Sequence, residues 1–236
     1  MSVPVRIVTL LVAFAAVVAG AVFVVAHYIV SSPPTVHYTA TGNVVNVMLQ
    51  EDPQNNNPSN PDWVSYYVQD PQSKQWVHTT LFSVPAGKTV HVTILGYDGC
   101  TPPRNNYWSQ VQGTIGGTVT VRQFADTNKP VGSPRTVSNI NGWAHCAVGH
   151  TFAIPSLHVF VPVASPITAA FNKSACGDSP CVEGPYSQES FSFRAPSKPG
   201  FFRWQCFVPC GGGYLDGNGG PMQAIGYMMG QMEVTA

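Results

Sequence analysis

Charged side chains are scarce in this chain of 236 residues. Lys, Arg, Asp and Glu together make up 9% of it, and the formal net charge is zero. An ordinary soluble domain carries about 25% charged residues. A chain with no basic surplus has no electrostatic means of attracting nucleic acid or an anionic lipid surface. Nothing in the composition therefore indicates a nucleic-acid partner.

Catalytic motifs are missing as well. The sequence contains no nucleophile elbow, no phosphate-binding loop and no paired acids in a shared motif, so it offers no catalytic set for hydrolysis. Internal repeats and amphipathic helical patterns are also absent. We expect a protein with no catalytic site of its own.

The plentiful residues favour strands and turns. Gly (22) and Pro (21) are frequent, and short apolar runs alternate with polar loops. Val90, Val92 and Ile94 alternate with His91 and Thr93, which is the period of a half-buried strand and directs His91 to solvent or to a sheet edge. We expect an all-β Greek-key sandwich of about seven to nine short strands.

One long hydrophobic run differs from this pattern. Residues Arg6 to Val30 are almost continuously apolar, and about 20 apolar residues suffice to cross a hydrocarbon core. Because the apolar region of a cleaved signal peptide spans only about 7–15 residues, we expect residues 1–32 to form an uncleaved membrane anchor. Arg6 precedes the run, and the next basic residue is Lys74. This asymmetry predicts a single-pass protein of the cell membrane with a cytoplasmic N-terminus and its C-terminal domain on the outer face.

The rest of the chain reads as one domain. We expect a linker over residues 33–42 and an outer domain over residues 43–236. A Gly-, Asn- and Thr-rich insertion within that domain spans residues 101–144, and a connection of this length is typically a functional, partner-binding or poorly ordered segment.

The six cysteines of this exported domain suggest disulfides. Cys176 and Cys181 are the first predicted pair, because the short segment between them closes easily around Gly and Pro. Cys100 and Cys146 are candidates for a second pair. The remaining two cysteines either bind a metal or form a third disulfide.

Soft metal ligands cluster near the C-terminus. The segment WQCFVPCGGGYLDGNGGPMQAIGYMMGQMEV holds Cys206 and Cys210, then a glycine-rich stretch, then several methionines. Upstream, GHTFAIPSLHVFV places His150 at the start of a strand. Thiolates and imidazole bind copper strongly, and a thioether is a weaker tuning ligand. The pattern indicates a copper site.

In this order the motifs resemble the cupredoxin domain, and more narrowly the second subunit of haem–copper terminal oxidases in its one-helix form. CFVPC has the Cys-x-x-x-Cys spacing of that subunit's dinuclear CuA loop, and YMMGQMEV resembles the strand that carries its methionine ligand. The resemblance is scattered from Val84 to Val234 and includes the anchor. It implies a cupredoxin-like fold, copper as the cofactor and electron transfer as the activity.

The resemblance also implies a ligand set. His150, Cys206, Cys210 and Met228 match the family's ligand positions, and the backbone carbonyl of Val208 would complete the set. The implied partners are a multi-span, haem-bearing oxidase subunit, the lipid bilayer, and an external cytochrome c or blue copper protein as electron donor.

The sequence departs from the family at its second histidine. Counting forward from the second cysteine gives Tyr214, and counting back from Met228 gives Ile225; neither is a good copper ligand. His145 and Met222 are candidate substitutes, and the thioether of Met222 suits Cu(I). The CuA-like site is therefore expected to be incomplete. It could hold two coppers or one, or the domain could be copper-free with its two cysteines either oxidised to a disulfide or left as thiols.

The leading hypothesis is a membrane-anchored, cupredoxin-like subunit II of a terminal oxidase of the haem–copper type, or of a related respiratory complex. It would give an outer docking surface and copper-mediated electron entry, and oxygen chemistry would belong to the haem-bearing partner. The alternatives are a stand-alone membrane-anchored copper-binding protein and a copper-free structural module.

Overall fold

The structure is a computed structural model that describes residues 3–25, 33–53, 63–98, 105–126, 128–140, 148–166, 179–210 and 220–236. The chain divides into two compact units, Met1–Ser32 and Pro33–Ala236. The first contains one helix, and the second is built from strands and short 3-10 helices.

Helix α1 spans Val3–Val24, contains no acidic residue and buries none of its side chains. Its 22 residues correspond to about 33 Å at about 1.5 Å per residue, which is enough to cross a hydrocarbon core of about 30 Å. The helix is long and apolar enough for a membrane anchor or a signal sequence. The side of the membrane on which each end lies stays a prediction.

The described part of the second unit contains thirteen strands. In chain order they are β1 Val36–His37, β2 Val44–Asp52, β3 Ser65–Gln69, β4 Trp76–Val77, β5 Leu81–Pro85, β6 Thr89–Gly96, β7 Val119–Asp126, β8 Lys129–Val137, β9 Val148–Ile154, β10 Val159–Ala164, β11 Tyr186–Arg194, β12 Gly200–Gln205 and β13 Met229–Thr235.

These strands form two sheets. One has the order β1-β5-β13-β12-β9-β10, and the other has the order β4-β3-β2-β6-β11-β7-β8. Consecutive described strands change sheet six times, for example from β5 to β6 and from β11 to β12, so the connections cross between the layers as in a Greek key. The predicted all-β sandwich with one N-terminal apolar helix is confirmed.

Strand alternation builds the core between the sheets. Val90, Val92 and Ile94 of β6 are fully buried, and full burial of each such side chain stabilises the fold by about 1.5–3 kcal/mol. His91 lies on the opposite face, where its Nδ1 is 3.0 Å from the hydroxyl of Ser192. Because β6 lies between β2 and β11 in the middle of its sheet, His91 is at a half-buried outer face and not at a sheet edge.

The sheets differ from the sequence-based expectation in number and extent of strands. The insertion over residues 101–144 contributes β7 and β8, and the predicted linker over residues 33–42 contains β1, which pairs in parallel with β5. The apolar alternation of NVVNVMLQ stops at Gln50, whereas β2 continues through Glu51 and Asp52. Both acids are fully buried in the sandwich.

The predicted disulfides involve residues outside the described ranges. Cys181 is disulfide-bonded, but Cys176 lies outside the described residues, as do Cys100 and Cys146. Both pairings therefore stay predictions.

Two buried carboxyl groups lead us to expect a domain that is most stable in acid. Burial raises the pKa of Asp52 to about 8 and that of Glu189 to about 8. The N–H groups of Cys181 and Ala164 donate to these carboxyls, each at 3.0 Å, and compensate only in part. In the unfolded chain both groups titrate near pH 4.

Between about pH 4 and pH 8 the native state therefore binds more protons than the unfolded state. Each group's contribution is fully present below about pH 4, and it is lost at about 1.4 kcal/mol per pH unit as the pH rises towards 8. Urea unfolding at pH 4, 6 and 8 measures this slope. Glu189→Gln is expected to reduce the slope of unfolding free energy against pH by the contribution of one carboxyl group, whereas Glu183→Gln, at an exposed carboxyl, should leave the slope unchanged. Equal stability at all three pH values would contradict the expectation.

Candidate metal centre

Two free thiols face each other just beyond the end of β12. The Sγ atoms of Cys206 and Cys210 lie 3.6 Å apart, and both side chains are buried. The loop is fixed at its start because the N–H of Cys206 donates to the carbonyl of Met228 at 2.9 Å, immediately before β13. A thiol pair held at this distance, and not oxidised to a disulfide, can offer two sulfur ligands to a metal.

His150 reaches the thiols because β9 and β12 are neighbours in one sheet. The two strands are antiparallel and pair at Gln205 and Ala153, so the residues of β9 that precede Ala153 lie beside the loop that follows β12. The Nδ1 atom of His150 is 3.9 Å from Cys206 Sγ, and the side chain is 2% exposed. The structure thus brings the imidazole together with two thiols that lie more than fifty residues farther along the chain.

Thr151 fixes the first cysteine from the other side. Its N–H donates to Cys206 Sγ at 3.4 Å, and its hydroxyl donates to the same sulfur at 3.7 Å. The same hydroxyl accepts the N–H of Phe207 at 2.7 Å. These bonds hold the sulfur in place and favour a negative charge on it.

The thioether that contacts the thiols belongs to Met222. It lies on the 3-10 helix Gly220–Gln223, and its Sδ is 2.9 Å from Cys210 Sγ. Met228, the methionine implied by the resemblance, is fully buried, and the contact that ties it to the loop is its backbone carbonyl. The carbonyl oxygen of Val208 lies 3.4 Å from Cys206 Sγ, inside the loop where the resemblance implies a carbonyl ligand.

The described residues provide no second imidazole at the family's position. Ile225 is 46% exposed and has no donor atom in its side chain. Tyr214 and His145 lie outside the described residues. Within the described part of the chain, the contacts of the thiols include one imidazole, one thioether and one backbone carbonyl.

Two carboxylates that the sequence did not single out lie behind His150. Its Nε2 atom is 3.1 Å from Oε1 of Glu51 and 3.3 Å from Oδ2 of Asp98. The backbone N–H of Asp98 donates to Oε2 of Glu51 at 3.2 Å. The available signal in the sequence was the scarcity of charged residues. In a chain with so few of them, Glu51 and the acidic residue directly after it are conspicuous at the end of a strand pattern.

The buried charges shift one another's pKa values. Burial raises the pKa of Glu51, and the nearby His150 offsets this only in part. Burial disfavours the imidazolium, but the charge of Glu51 and the hydrogen bond to Asp98 raise the pKa of His150 well above its usual value.

The two thiols shift in opposite directions. Burial opposes ionisation of Cys206, but hydrogen bonds with Cys210 and His150 lower its pKa well below the usual value. Burial and the neighbouring Cys206 raise the pKa of Cys210. Cys206 is thus the sulfur that ionises first, and the thiolate is the form that binds metals.

The arrangement fits a soft metal ion. Two sulfurs bound to one ion at about 2.3 Å in a tetrahedron would be about 3.8 Å apart, and the two thiols lie 3.6 Å apart. Ligand atoms of His150, Cys206 and Cys210 all lie within 4.8 Å of one another. Thiolate and thioether donors select Cu(I) among the common ions.

Aromatic rings pack around the loop. The ring of Phe207 stacks on Trp108 with centroids 5.4 Å apart and an interplanar angle of 8°. Trp108 also contacts Phe160 at 5.0 Å and Tyr107 at 5.5 Å. Trp108 and Tyr107 belong to the insertion, so that segment packs beside the residue that follows the first cysteine.

Comparison with known proteins shows no family for this chain. No family model matches the chain, and no curated protein matches it. Among solved structures, the chain is similar to the copper protein rusticyanin, with 16% identity over 84% of this chain and 82% of that one and a TM-score of 0.31. It is similar also to rusticyanin from Thiobacillus ferrooxidans (15%, 84% and 82%, TM-score 0.30) and to reduced rusticyanin (15%, 84% and 84%, TM-score 0.29). Rusticyanin is a cupredoxin. Nothing about this chain follows from a likeness of this size.

Proposed function

We propose that this protein is a membrane-anchored, cupredoxin-like copper protein that accepts and passes on single electrons outside the membrane. The observation that carries the proposal is the buried cluster of His150, Cys206 and Cys210 with the thioether of Met222 beside it. Copper, when bound, supplies a one-electron couple between Cu(I) and Cu(II).

The donor set supports one copper ion in place of the family's two. A two-copper centre needs a strong ligand for each ion in addition to the shared thiolates, and His150 is the one imidazole among the described donors. Met222 contacts Cys210, the sulfur farther along the loop, where it would serve as a soft fourth ligand. Burial of the thiols and of His150 keeps water from the ion, which limits the solvent reorganisation that accompanies electron transfer.

The aromatic group beside the loop supports a place of electron entry. Phe207 follows Cys206 directly and stacks on Trp108, which contacts Tyr107. Tyr107 is 47% exposed. The rings therefore run from the residue next to a sulfur ligand to the surface, and we place the proposed docking of an electron donor there.

We further propose that the copper domain is the subunit II-like outer module of a terminal oxidase or a related respiratory complex. The proposal is supported by the facing thiols of a Cys-x-x-x-Cys loop, since the dinuclear CuA loop it resembles uses two cysteines, and by the apolar helix α1. The partner would be a multi-span, haem-bearing subunit, with cytochrome c or a blue copper protein as donor.

A stand-alone copper-binding protein is the second candidate. The contact between Met222 and Cys210 favours it, because a thioether in addition to two thiols makes a site that retains Cu(I). Copper retention and electron entry would use the same residues.

Copper titration tests the ligand set. The full-length protein in detergent is expected to bind one copper per chain and to show no mixed-valence spectrum. His150→Ala should abolish binding, because it removes the imidazole. Met222→Leu should weaken Cu(I) binding by about tenfold, or about 1.4 kcal/mol, measured by competition with a Cu(I) chelator.

Two variants serve as matched controls. His91→Ala changes an imidazole on the outer face of β6, and Met232→Leu changes a fully buried methionine of β13. Both are expected to bind copper as the wild type does. Two coppers with a delocalised spin would contradict the one-ion site and point to His145 as a further ligand. A wild-type protein that binds no copper would contradict the copper function.

Membrane extraction tests the proposed complex. The protein is expected to stay in membranes through high-salt and alkaline washing, and to copurify in mild detergent with a multi-span, haem-bearing subunit detected by its optical spectrum. Isolation of the chain with copper and without haem would contradict the oxidase role and favour the stand-alone protein. Release of a chain that begins near Ser31 would show that the helix is a signal sequence.

A further inference from the structure

His150 is held from both sides of its ring. Its Nδ1 faces Cys206 Sγ at 3.9 Å, and its Nε2 faces Glu51 at 3.1 Å and Asp98 at 3.3 Å. The imidazole therefore separates a sulfur pair from a carboxylate pair. The thiols on one side of the ring take part in the proposed copper site. The carboxylates on the other side have no role in that proposal.

The position of the ring's proton determines whether His150 can bind a metal. A neutral imidazole has one N–H and one lone pair, and a metal at Nδ1 requires the proton to be on Nε2. An ionised carboxylate accepts hydrogen bonds and cannot donate them. Glu51 and Asp98 therefore favour the tautomer whose Nδ1 lone pair is directed at the thiols.

Glu51 is held in place by the fold. Its backbone is part of β2, where it pairs with Gly96 of β6, and its carbonyl accepts the N–H of Tyr97 at 3.0 Å. The N–H of Asp98 donates to its Oε2 at 3.2 Å. The end of β6 thus places Glu51 and Asp98 together, on the side of His150 away from the sulfurs.

The two acids differ in their access to water. The side chain of Glu51 is 0% exposed and that of Asp98 is 31% exposed. Burying a carboxylate is costly unless it is paired and hydrogen-bonded. Water can replace Asp98 as an acceptor if that side chain is lost, but Glu51 has no such substitute.

We propose that Glu51, assisted by Asp98, is a positioning residue of the metal centre: the carboxylates hold the proton of His150 on Nε2 and direct Nδ1 at the thiols. This inference rests on the proposed copper function. Carboxylate–histidine–metal arrangements of this kind raise the basicity of the imidazole, and loss of the carboxylate typically weakens metal binding about 10- to 100-fold. A buried anion close to the imidazole also stabilises Cu(II) more than Cu(I).

The test compares Glu51→Leu, Glu51→Gln and Asp98→Ala in the full-length protein in detergent. Glu51→Leu removes the buried carboxylate 3.1 Å from Nε2 and leaves only the hydrogen bond of Nε2 to the half-exposed Asp98; it is expected to weaken Cu(I) binding by about 10- to 100-fold. Glu51→Gln keeps an oxygen at nearly the same place and should restore most of the affinity. Asp98→Ala should have the smaller effect, because water can take its place. Asp52→Asn is the matched control: it is the next residue of β2, equally buried, and its contact is with Cys181.

Two readouts separate positioning from a merely structural role. The reduction potential of bound copper should rise in Glu51→Gln, and a tenfold selective loss of Cu(II) affinity corresponds to about 59 mV for a one-electron couple. Nitrogen NMR of the metal-free protein, at a pH where the His150 ring is neutral, should show the His150 proton on Nε2 in the wild type and a mixture of tautomers in Glu51→Leu. A purely structural effect would lower the unfolding midpoint and move neither readout.

The outcomes are distinct. A wild type that binds copper, together with Glu51→Leu and Glu51→Gln variants of unchanged affinity, potential and tautomer, overturns the positioning role and leaves the copper function intact. An Asp52→Asn variant that shifts the potential as much as Glu51→Gln also overturns it, because the effect would then not depend on contact with His150. A wild type that binds no copper overturns both proposals.

Discussion

The pairing of β9 with β12 is the contact on which the rest of the site depends. It brings His150, at the start of one strand, to Cys206, just past the end of the other. The two residues are far apart in the sequence, and the apolar sandwich buries both of them away from water. On its far side His150 meets Glu51 of the opposite sheet, so the ring links the two layers of the fold.

The proposed one-copper site does not require a second histidine. Cys206 and Cys210 remain face to face, and a thioether, that of Met222, contacts the second of them. A soft set of this kind suits one copper ion and favours Cu(I). The buried carboxylate behind His150 acts in the opposite direction, because negative charge favours Cu(II). The balance of these two effects would set the potential at which the protein exchanges electrons.

Local sequence patterns predicted the sandwich, the apolar helix and the residues that form the cluster. Alternation in β6 predicted its buried face, and the Cys-x-x-x-Cys spacing predicted two thiols in one loop. The role of Glu51 could not be predicted, because its contact with His150 joins residues that are far apart in the sequence and lie on opposite sheets. Met222 was one of two candidate substitutes, and the 3-10 helix that brings it to Cys210 has no signal in the sequence. The ligand roles themselves stay predictions.

X-ray absorption at the copper edge of the loaded, full-length protein tests the central claim most directly, because it reports the atoms that surround the ion. The account predicts a single copper with a shell dominated by sulfur, together with the ring scattering of one imidazole that disappears in His150→Ala. Scattering from a second copper at bonding distance, or a shell of nitrogen and oxygen without sulfur, would contradict it.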